Sequence, residues 1–356
     1  MEQETNIYHG LLITVSILII FANSYSLSLF MRYKNLLSKV NFMLLSLALS
    51  EFMTGAVNIP SMVHAERVNA KHMMESITFL LTADIITIMC AATTMMTLCG
   101  IIIDRYLMIC FPFKYMSIVT KRKIIMFIIA SWTLPLIVSF VRLVWLAPLL
   151  SVKPTHIKNF TLYNEKRKTA LRYDRIFYIV GSSTYLLVVI TLVILFVLMF
   201  HSIRRLGRDE REFTTERRDK EMLKRETKAV ILFAVMFFAF ILCWTPLVIF
   251  RLLASVFPKI FIQIPMRVVH ALIIIKYLTS ILNPCLYILY KYEFYQEFTK
   301  DRKVIKKLCC CQKRQGHQRD LLTEVSFVSH QHQNGQSNSH WLDSKHEQGL
   351  LSAAEV

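Results

Sequence analysis

The sequence predicts an all-α membrane protein, a seven-transmembrane helix bundle with a short amphipathic eighth helix. Hydrophobic residues make up 54% of the 356 residues, and the mean hydropathy is +0.45. They are concentrated in seven stretches, each long enough to supply the about 20 residues that cross a hydrocarbon layer of ~30 Å. None shows the alternation of barrel strands, which leaves helices. The stretches cover roughly residues 10–32, 41–64, 76–109, 123–146, 175–202, 226–254 and 264–290.

The ends of the first span and the charges between spans predict the orientation. Residues 1–9 are too few and too acidic for the basic start of a cleaved signal peptide, so we expect an extracellular N-terminus of that length. Basic residues are concentrated in 201–228 and at the start of the tail, which lie on one side of an odd number of spans. The positive-inside rule places that side in the cytoplasm. Because the net charge of +18 lies in these segments, it does not indicate nucleic acid.

Two loops join the later spans. The outer loop, 147–174, is basic against the rule, but long loops weigh little in it. The sequon that begins at Asn159 predicts glycosylation and also favours the outside. The inner loop, 203–225, mixes acidic and basic residues and is expected to extend the flanking helices. The fifth and sixth spans on either side of it are the most apolar of the seven, with no charge from Ile176 to Phe200 or from Ala229 to Phe250.

After the seventh span, residues 291–300 alternate aromatic and charged residues, which predicts a helix in the membrane interface. The seven-helix domain with this helix is therefore expected over 10–300, and a cytoplasmic, mostly disordered tail over 301–356. All eight cysteines lie in spans or on the cytoplasmic side, so no disulfide is expected. Cys309, Cys310 and Cys311 stand among lysines and predict palmitoylation. A metal site is the alternative, although no His or Cys pair stands at ligand spacing.

Three motifs lie in the third, sixth and seventh spans. They are Asp104-Arg105-Tyr106 with Pro112, then Cys243-Trp244-Thr245-Pro246, and Asn283-Pro284 with Tyr287 and Phe294. On these residues the chain resembles the rhodopsin-like (class A) G-protein-coupled receptor family over about residues 10–300. The family signatures D-R-Y-x5-P, C-W-x-P and N-P-x-x-Y-x6-F are matched in order and in the expected spans.

The resemblance implies a plasma-membrane receptor that passes an extracellular ligand signal to heterotrimeric G proteins by outward movement of the sixth helix. Arrestin and receptor kinases are further expected partners besides membrane lipid, and no cofactor is expected. No nucleophile with a base and no phosphate-binding glycine loop occurs, so an enzyme is not predicted. The activation switch is expected to comprise Asp104, Arg105, Tyr106, Pro112, Phe113, Glu226, Phe240, Trp244, Pro246, Asn283, Pro284 and Tyr287.

Within this set, Arg105 and Glu226 are expected to form a latch that closes the cytoplasmic face at rest. The alternative is that both are interfacial charges solvated by water. Pro246 removes a backbone hydrogen bond and predicts a hinge in the sixth helix. Trp244 and Phe240 lie one turn apart on the same face, and they are plain core aromatics if that face meets lipid.

Polar residues inside the spans predict two further sites. Asn23, Thr94 and Ser280 are expected to surround Glu51, which stands where the family has an aspartate. In relatives this cluster holds a sodium ion, and the longer glutamate puts that ion in doubt. Lys276 shares the inward face of the seventh span and has three alternatives: pairing with Glu51, contact with a ligand, or snorkelling.

The expected ligand contacts are Asp84, Thr87, Arg251, Lys276 and Tyr277. Asp84 is expected either to pair with Arg251 or to meet a cationic ligand. Arg251 and Lys276 could instead recognise an anionic group. An aminergic receptor has an aspartate where this chain has Thr87, and an opsin has its retinal lysine where this chain has Tyr277.

Other departures from the family pattern leave the ligand class open. The usual cysteine at the outer end of the third span is replaced by Leu80, and no proline interrupts the fifth span, where Phe196 stands in place of the inner tyrosine. An opsin-like photoreceptor and a decoy receptor that binds without signalling therefore remain as alternatives.

Overall fold

The computed structural model describes residues 2–67, 73–150, 160–212, 217–261 and 263–304, and in these ranges the chain is helical. A 3-10 turn (Lys34–Leu36) and a π-helical turn (Thr54–Asn58) join some of the helices. The helices are α1 (Glu2–Arg32), α2 (Lys39–Met53), α3 (Ile59–Arg67), α4 (Met73–Cys110), α5 (Pro112–Ile118), α6 (Lys121–Leu150), α7 (Phe160–Glu212), α8 (Arg217–Val256), α9 (Pro258–Phe261), α10 (Met266–Tyr290) and α11 (292–304).

In the ranges given above, seven helical segments are long and apolar enough to cross a membrane, so the predicted seven-helix bundle with its eighth helix is confirmed. We number these segments as spans 1 to 7. They are Gln3–Arg32, Val40–Arg67, Ala83–Cys110, Lys121–Val144, Lys168–Arg205, Thr227–Val256 and Met266–Tyr290. Large apolar side chains such as Leu187, Val197 and Leu242 point outward, as lipid contact requires.

The helices are longer than the apolar stretches that predict them. Span 1 is helical from Glu2, and α6 and α7 both continue into the predicted outer loop, leaving only 151–159 outside the described residues there. The inner loop behaves as expected, since α7 and α8 extend into 203–225. Hydropathy marks the length of chain that lies in lipid, whereas a helix continues into water as far as its residues tolerate.

Span 2 contains the π-helical turn, and this turn positions two features. Gly55 allows close approach of span 1, since an added Cβ would lie 2.9 Å from Ile19 Cγ2. The hydroxyl of Ser16 also donates to the Gly55 carbonyl at 2.7 Å. The turn brings Asn58, 1% exposed, into the bundle interior. Such π-turns are frequent where a helix must present a side chain at a functional position.

The chain divides into two units, residues 1–295 and 296–356. The first contains all seven spans. Of the second, residues 296–304 are described and helical, with Lys300 Nζ 2.9 Å from Glu297 Oε1. The expected glycosylation site at Asn159 and the expected palmitoylation sites at Cys309, Cys310 and Cys311 lie outside the described residues.

Candidate functional site

Arg105 lies at the C-terminal end of span 3 and is 7% exposed. Its Nη2 and Nε lie 3.0 and 3.1 Å from Asp104 Oδ2, and the Tyr115 hydroxyl donates to Asp104 Oδ1 at 2.9 Å. The guanidinium also lies 5.8 Å from the ring centroid of Phe233, on span 6. The Arg105 side chain therefore contacts span 6, the helix that is expected to move outward. Glu226 belongs to α8, but its side chain lies outside the described residues.

The segment after span 3 presents an apolar side chain to solvent. Pro112 occupies the first turn of α5, where its missing N–H costs no helical hydrogen bond. The side chain of Phe113 is fully exposed. Tyr106 packs edge-on against Phe111 at 6.1 Å between centroids. An exposed phenylalanine at the end of the bundle near Arg105 is a feature that a protein partner could cover.

The aromatic residues of span 6 face the bundle interior, not lipid. Phe240 is 1% exposed and stacks on Trp244 at 5.4 Å between centroids. The indole of Trp244 donates to Thr279 Oγ1 on span 7 at 3.2 Å. Pro246 lies two residues after Trp244, inside the helix, where the missing N–H removes one hydrogen bond. Phe196 of span 5 stacks on Phe237 of the same span-6 core at 5.3 Å.

The middle of the bundle holds a cluster of polar side chains from spans 1, 2, 3 and 7, which we call the Glu51 cluster. Glu51 is 3% exposed. Its carboxylate accepts hydrogen bonds from Thr94 at 3.2 Å, from Asn283 at 3.3 Å and from Ser280. Asn23 completes the cluster by donating to the Ser280 carbonyl at 3.0 Å. In the part of the chain that the structure describes, the donors to Glu51 are all neutral groups.

Tyr287 of the seventh-span motif points inward beneath the Glu51 cluster. It is fully buried, and its hydroxyl makes a hydrogen bond with Ser26 of span 1. Its ring packs edge-on against Phe294 at 5.2 Å between centroids. Pro284, one turn earlier, is buried inside the same helix. The tyrosine is therefore held between span 1 and the chain that follows span 7.

The two expectations for Lys276 other than ligand contact, pairing with Glu51 and snorkelling, do not agree with the structure. The side chain is 3% exposed, so it does not reach an aqueous interface. Its Nζ lies 4.3 Å from the ring centroid of Tyr277 and 5.5 Å from that of Trp244. Among the described residues no carboxylate pairs with it. The reason is that two aromatic faces hold the ammonium, while neutral donors surround Glu51.

Asp84 also has a different partner from the expected one. It pairs with Arg142 of span 4 rather than with Arg251. Arg142 additionally donates to Asp174 Oδ1 of span 5, from Nε at 3.0 Å and from Nη2 at 2.8 Å. The Arg142 side chain is 6% exposed, and the two carboxylates are about three-quarters buried. One guanidinium thus joins spans 3, 4 and 5.

Tyr178 connects this arrangement to span 6. Its hydroxyl accepts from Arg142 Nη2 at 3.2 Å and from Arg251 Nη1 at 3.3 Å, and lies 3.4 Å from Asp84 Oδ2. Both guanidinium groups also lie over the tyrosine ring, at 5.2 and 5.3 Å. We call Asp84, Arg142, Asp174 and Tyr178 the Arg142 cluster.

Thr87 and Tyr277 bond to the same asparagine. The Thr87 hydroxyl donates to Asn58 Oδ1 at 2.7 Å, and Asn58 Nδ2 donates to the Tyr277 hydroxyl at 3.4 Å. Tyr277 is 1% exposed in an apolar cluster with Leu12 and Ile59 of spans 1 and 2. Both expected ligand contacts therefore take part in hydrogen bonds that join spans 2, 3 and 7.

Sequence reasoning missed Arg142, Asp174, Tyr178 and Asn58. A usable signal exists for Arg142, because it is an ionisable residue within a predicted span, and such residues are functional by default. Asn58 is a polar residue within the predicted second span and gives the same kind of signal as Asn23. Asp174 stands at the predicted loop boundary, and a tyrosine near the end of a span, such as Tyr178, is ordinary.

Cysteine and metal chemistry add little to the site. Five cysteines in the described ranges are free thiols: Cys90, Cys99, Cys110, Cys243 and Cys285. Within those same ranges no group of three or more His, Cys, Asp or Glu side chains is arranged to hold a metal ion.

The family model described as "7 transmembrane receptor (rhodopsin family)" matches residues 22–287. Mouse trace amine-associated receptor 1 is 25% identical over 77% of this chain and 80% of its own length. Mouse trace amine-associated receptor 4 is 26% identical over 77% of each chain. The D(1A) dopamine receptor of Xenopus laevis is 26% identical over 69% of this chain and 60% of its own length.

Proposed function

Because this chain belongs to the rhodopsin family of seven-transmembrane receptors, we propose that it carries an extracellular signal to a heterotrimeric G protein by outward movement of span 6. It is a multi-pass membrane protein. The proposal adds the plasma membrane, an extracellular N-terminus and a cytoplasmic tail. The contact between Arg105 of span 3 and Phe233 of span 6 is the observation that carries it, since this contact must break when span 6 moves.

In the resting receptor, Arg105 holds the inner ends of spans 3 and 6 together. The guanidinium is buried, paired with Asp104 and packed over Phe233. Glu226 stands seven residues before Phe233, two turns along the same helix, where a carboxylate would hold the arginine more firmly. Arg105, Asp104 and Glu226 would form the latch, a two-state element that a ligand biases.

The aromatic pair in span 6 would transmit the ligand signal. Trp244 is hydrogen-bonded to Thr279 of span 7 and stacked on Phe240, so a ligand that displaces the indole disturbs both contacts. Pro246 lacks the backbone N–H that stiffens a helix, which lets the part of span 6 below it pivot. Tyr287 would leave Ser26 in the same transition.

The partner would dock at the end of the bundle that carries Arg105. Outward movement of span 6 opens a cavity there, and exposed Phe113 supplies an apolar contact beside it. Basic residues in 201–228 would favour an acidic surface. Phosphorylation of tail serines and threonines by receptor kinases would recruit arrestin, palmitoylation at Cys309, Cys310 and Cys311 would anchor the tail, and Asn159 would carry a glycan.

The latch is tested by G-protein recruitment in cells that express the full chain. Glu226→Ala is expected to raise basal recruitment about two- to five-fold, because loss of the proposed ion pair would cost ~0.4–1 kcal/mol in the closed state. Arg105→Ala is expected to abolish recruitment at equal surface expression. The matched control is Arg122→Ala, an exposed arginine on the same side of the bundle, which should leave recruitment unchanged.

The outcomes separate this proposal from its alternatives. If the receptor couples to a G protein and Glu226→Ala leaves basal recruitment unchanged, the latch is contradicted. If wild type and every variant fail to recruit any G protein, the decoy alternative holds. Substitution of the inner tyrosine of the family by buried Phe196 is the feature that favours a decoy. An absorbance band of retinal that Lys276→Ala removes would establish the photoreceptor instead.

A further inference from the structure

We propose that the ligand of this receptor carries an anionic group, a carboxylate or a phosphate, which binds Arg251 and Lys276. The inference rests on the proposed receptor function and names the class of its ligand. It departs from the amines in the names of several relatives. The charges concerned lie near the end of the bundle at which span 1 begins, the side proposed to be extracellular.

Among the described residues, the two carboxylates next to Tyr178 and Arg142 are already engaged and cannot receive an amine without losing their present partner. The position that holds the aminergic aspartate is Thr87, whose hydroxyl bonds to Asn58. Asp84, one turn earlier on span 3, is paired with Arg142, and Asp174 accepts two hydrogen bonds from the same guanidinium. An incoming ammonium would have to break a largely buried ion pair, which leaves a guanidinium without its partner.

Around Tyr178 and Trp244, the described side chains include three basic ones, Arg142, Arg251 and Lys276, and two carboxylates, Asp84 and Asp174. Both carboxylates are engaged by Arg142, so neither Arg251 nor Lys276 pairs with a carboxylate in the described part of the chain. Cations in that position attract an anion, and their partly dry surroundings strengthen the attraction.

The two cations also have hydrogen-bond donors to offer. Arg251 uses one N–H, toward the Tyr178 hydroxyl, and a guanidinium has five. Lys276 is 3% exposed and is held by the rings of Trp244 and Tyr277, with no hydrogen-bond acceptor among the described residues. A carboxylate or phosphate group accepts such donors in pairs, as charge-assisted hydrogen bonds.

This geometry links the anion to the activation switch. The Lys276 ammonium lies 5.5 Å from the ring centroid of Trp244, and Arg251 follows two turns later on the same helix. An anion that draws Lys276 away from the indole of Trp244 alters the stacking of Trp244 on Phe240. Binding of charge would therefore be converted into a change in the packing of span 6.

The test uses eight-carbon probes that differ only in the headgroup: octyl phosphate, octanoate, octylamine and octanol. The full chain in nanodiscs is titrated with each probe, and its apparent melting temperature is recorded. Octyl phosphate or octanoate should stabilise the wild type, and the midpoint concentration should rise at least ten-fold in Arg251→Gln and in Lys276→Met. Arg267→Gln, which removes an exposed arginine paired with Glu4 near the same end of the bundle, should behave as wild type.

Comparing the two anions distinguishes a phosphate ligand from a carboxylate ligand. Stronger stabilisation by octylamine than by either anion overturns the proposal. So does an equal response of wild type and of the variants Arg251→Gln and Lys276→Met to every probe, because the two cations would then have no part in binding. Since the readout contains no G protein, failure of coupling leaves this result unaffected, and failure of anion binding leaves the latch test standing.

Discussion

The described part of the bundle includes two buried acidic sites, the Arg142 cluster and the Glu51 cluster, which are neutralised in different ways. In the Arg142 cluster, one guanidinium serves Asp84 and Asp174, and its charge is distributed between them. In the Glu51 cluster, the carboxylate meets only hydroxyl and amide donors in the described residues. Both sites join three or more spans. The first contains a full positive charge and the second contains none.

This difference predicts different responses to substitution. An ion pair with little solvent contact is costly to break from one side, because the partner charge is left without compensation. A carboxyl group that receives neutral donors can be replaced by a neutral group of the same shape at little cost, provided that its charge is balanced by a proton. The Arg142 cluster should therefore be sensitive to charge, and the Glu51 cluster to shape and hydrogen bonding.

The largest effect is expected from Arg142→Met. The substitution keeps an extended apolar side chain but leaves Asp84 and Asp174 without their cation, at a cost of about 3–5 kcal/mol. We expect a fall in the apparent melting temperature of the full chain in nanodiscs, together with low surface expression.

A matched triple substitution shows whether charge is the cause. Asp84→Asn and Asp174→Asn, added to Arg142→Met, should recover most of the lost thermal stability, since the Arg142 cluster then contains no charged side chain. The exposed Arg122→Ala serves as a control for the loss of an arginine. A melting temperature for Arg142→Met within 1 °C of wild type, or no recovery in the triple variant, would remove the electrostatic account of this cluster.

An intermediate effect is expected at Glu51. Glu51→Gln keeps one acceptor oxygen, and its NH2 group can donate to the hydroxyl that bonded to the other oxygen, so its melting temperature should stay close to wild type. Glu51→Leu leaves buried donors without an acceptor, at about 1–3 kcal/mol for each unsatisfied group. The measurement is the melting temperature of both variants in nanodiscs.

The same pair of variants tests for a bound cation. If Glu51→Gln destabilises as much as Glu51→Leu, the negative charge itself is required. Wild type would then lose stability when sodium chloride is replaced by choline chloride. That combination would show that the two acidic sites are both neutralised by cations, one by an arginine and the other by an ion from solution.

Much of the fold follows from the sequence because it depends on properties that are local in the chain. The apolar stretches and the three motifs each occupy one continuous segment, and lipid requires each stretch to form a helix. Helix ends were predicted less well, at Glu2 and around 151–159, because hydropathy does not report where a helix stops in water.

The pairing of charges could not be predicted in the same way. Asp84 has candidate partners on three neighbouring spans, and which one it meets depends on helix rotations that differ by a fraction of a turn. Arg142 is the partner because its side chain reaches both Asp84 and Asp174. This pairing depends on the relative positions of spans 3, 4 and 5. Lys276 likewise contacts the ring faces of Trp244 and Tyr277, and a search for polar partners alone does not consider aromatic rings.

The smallest effect is expected where neither partner is charged, at Ser26 and Tyr287. Ser26→Ala and Tyr287→Phe each remove one hydroxyl from their hydrogen bond, and each should cost about 0.5–1.5 kcal/mol, well below the cost at Arg142. If each hydroxyl contributes to stability only through this hydrogen bond, the double variant should be no less stable than the less stable single variant. The same variants should raise basal G-protein recruitment if, as proposed, Tyr287 leaves Ser26 on activation. Additive losses of stability would mean that the two hydroxyl groups act separately, and Tyr287 would then be held by its packing against Phe294 rather than by span 1.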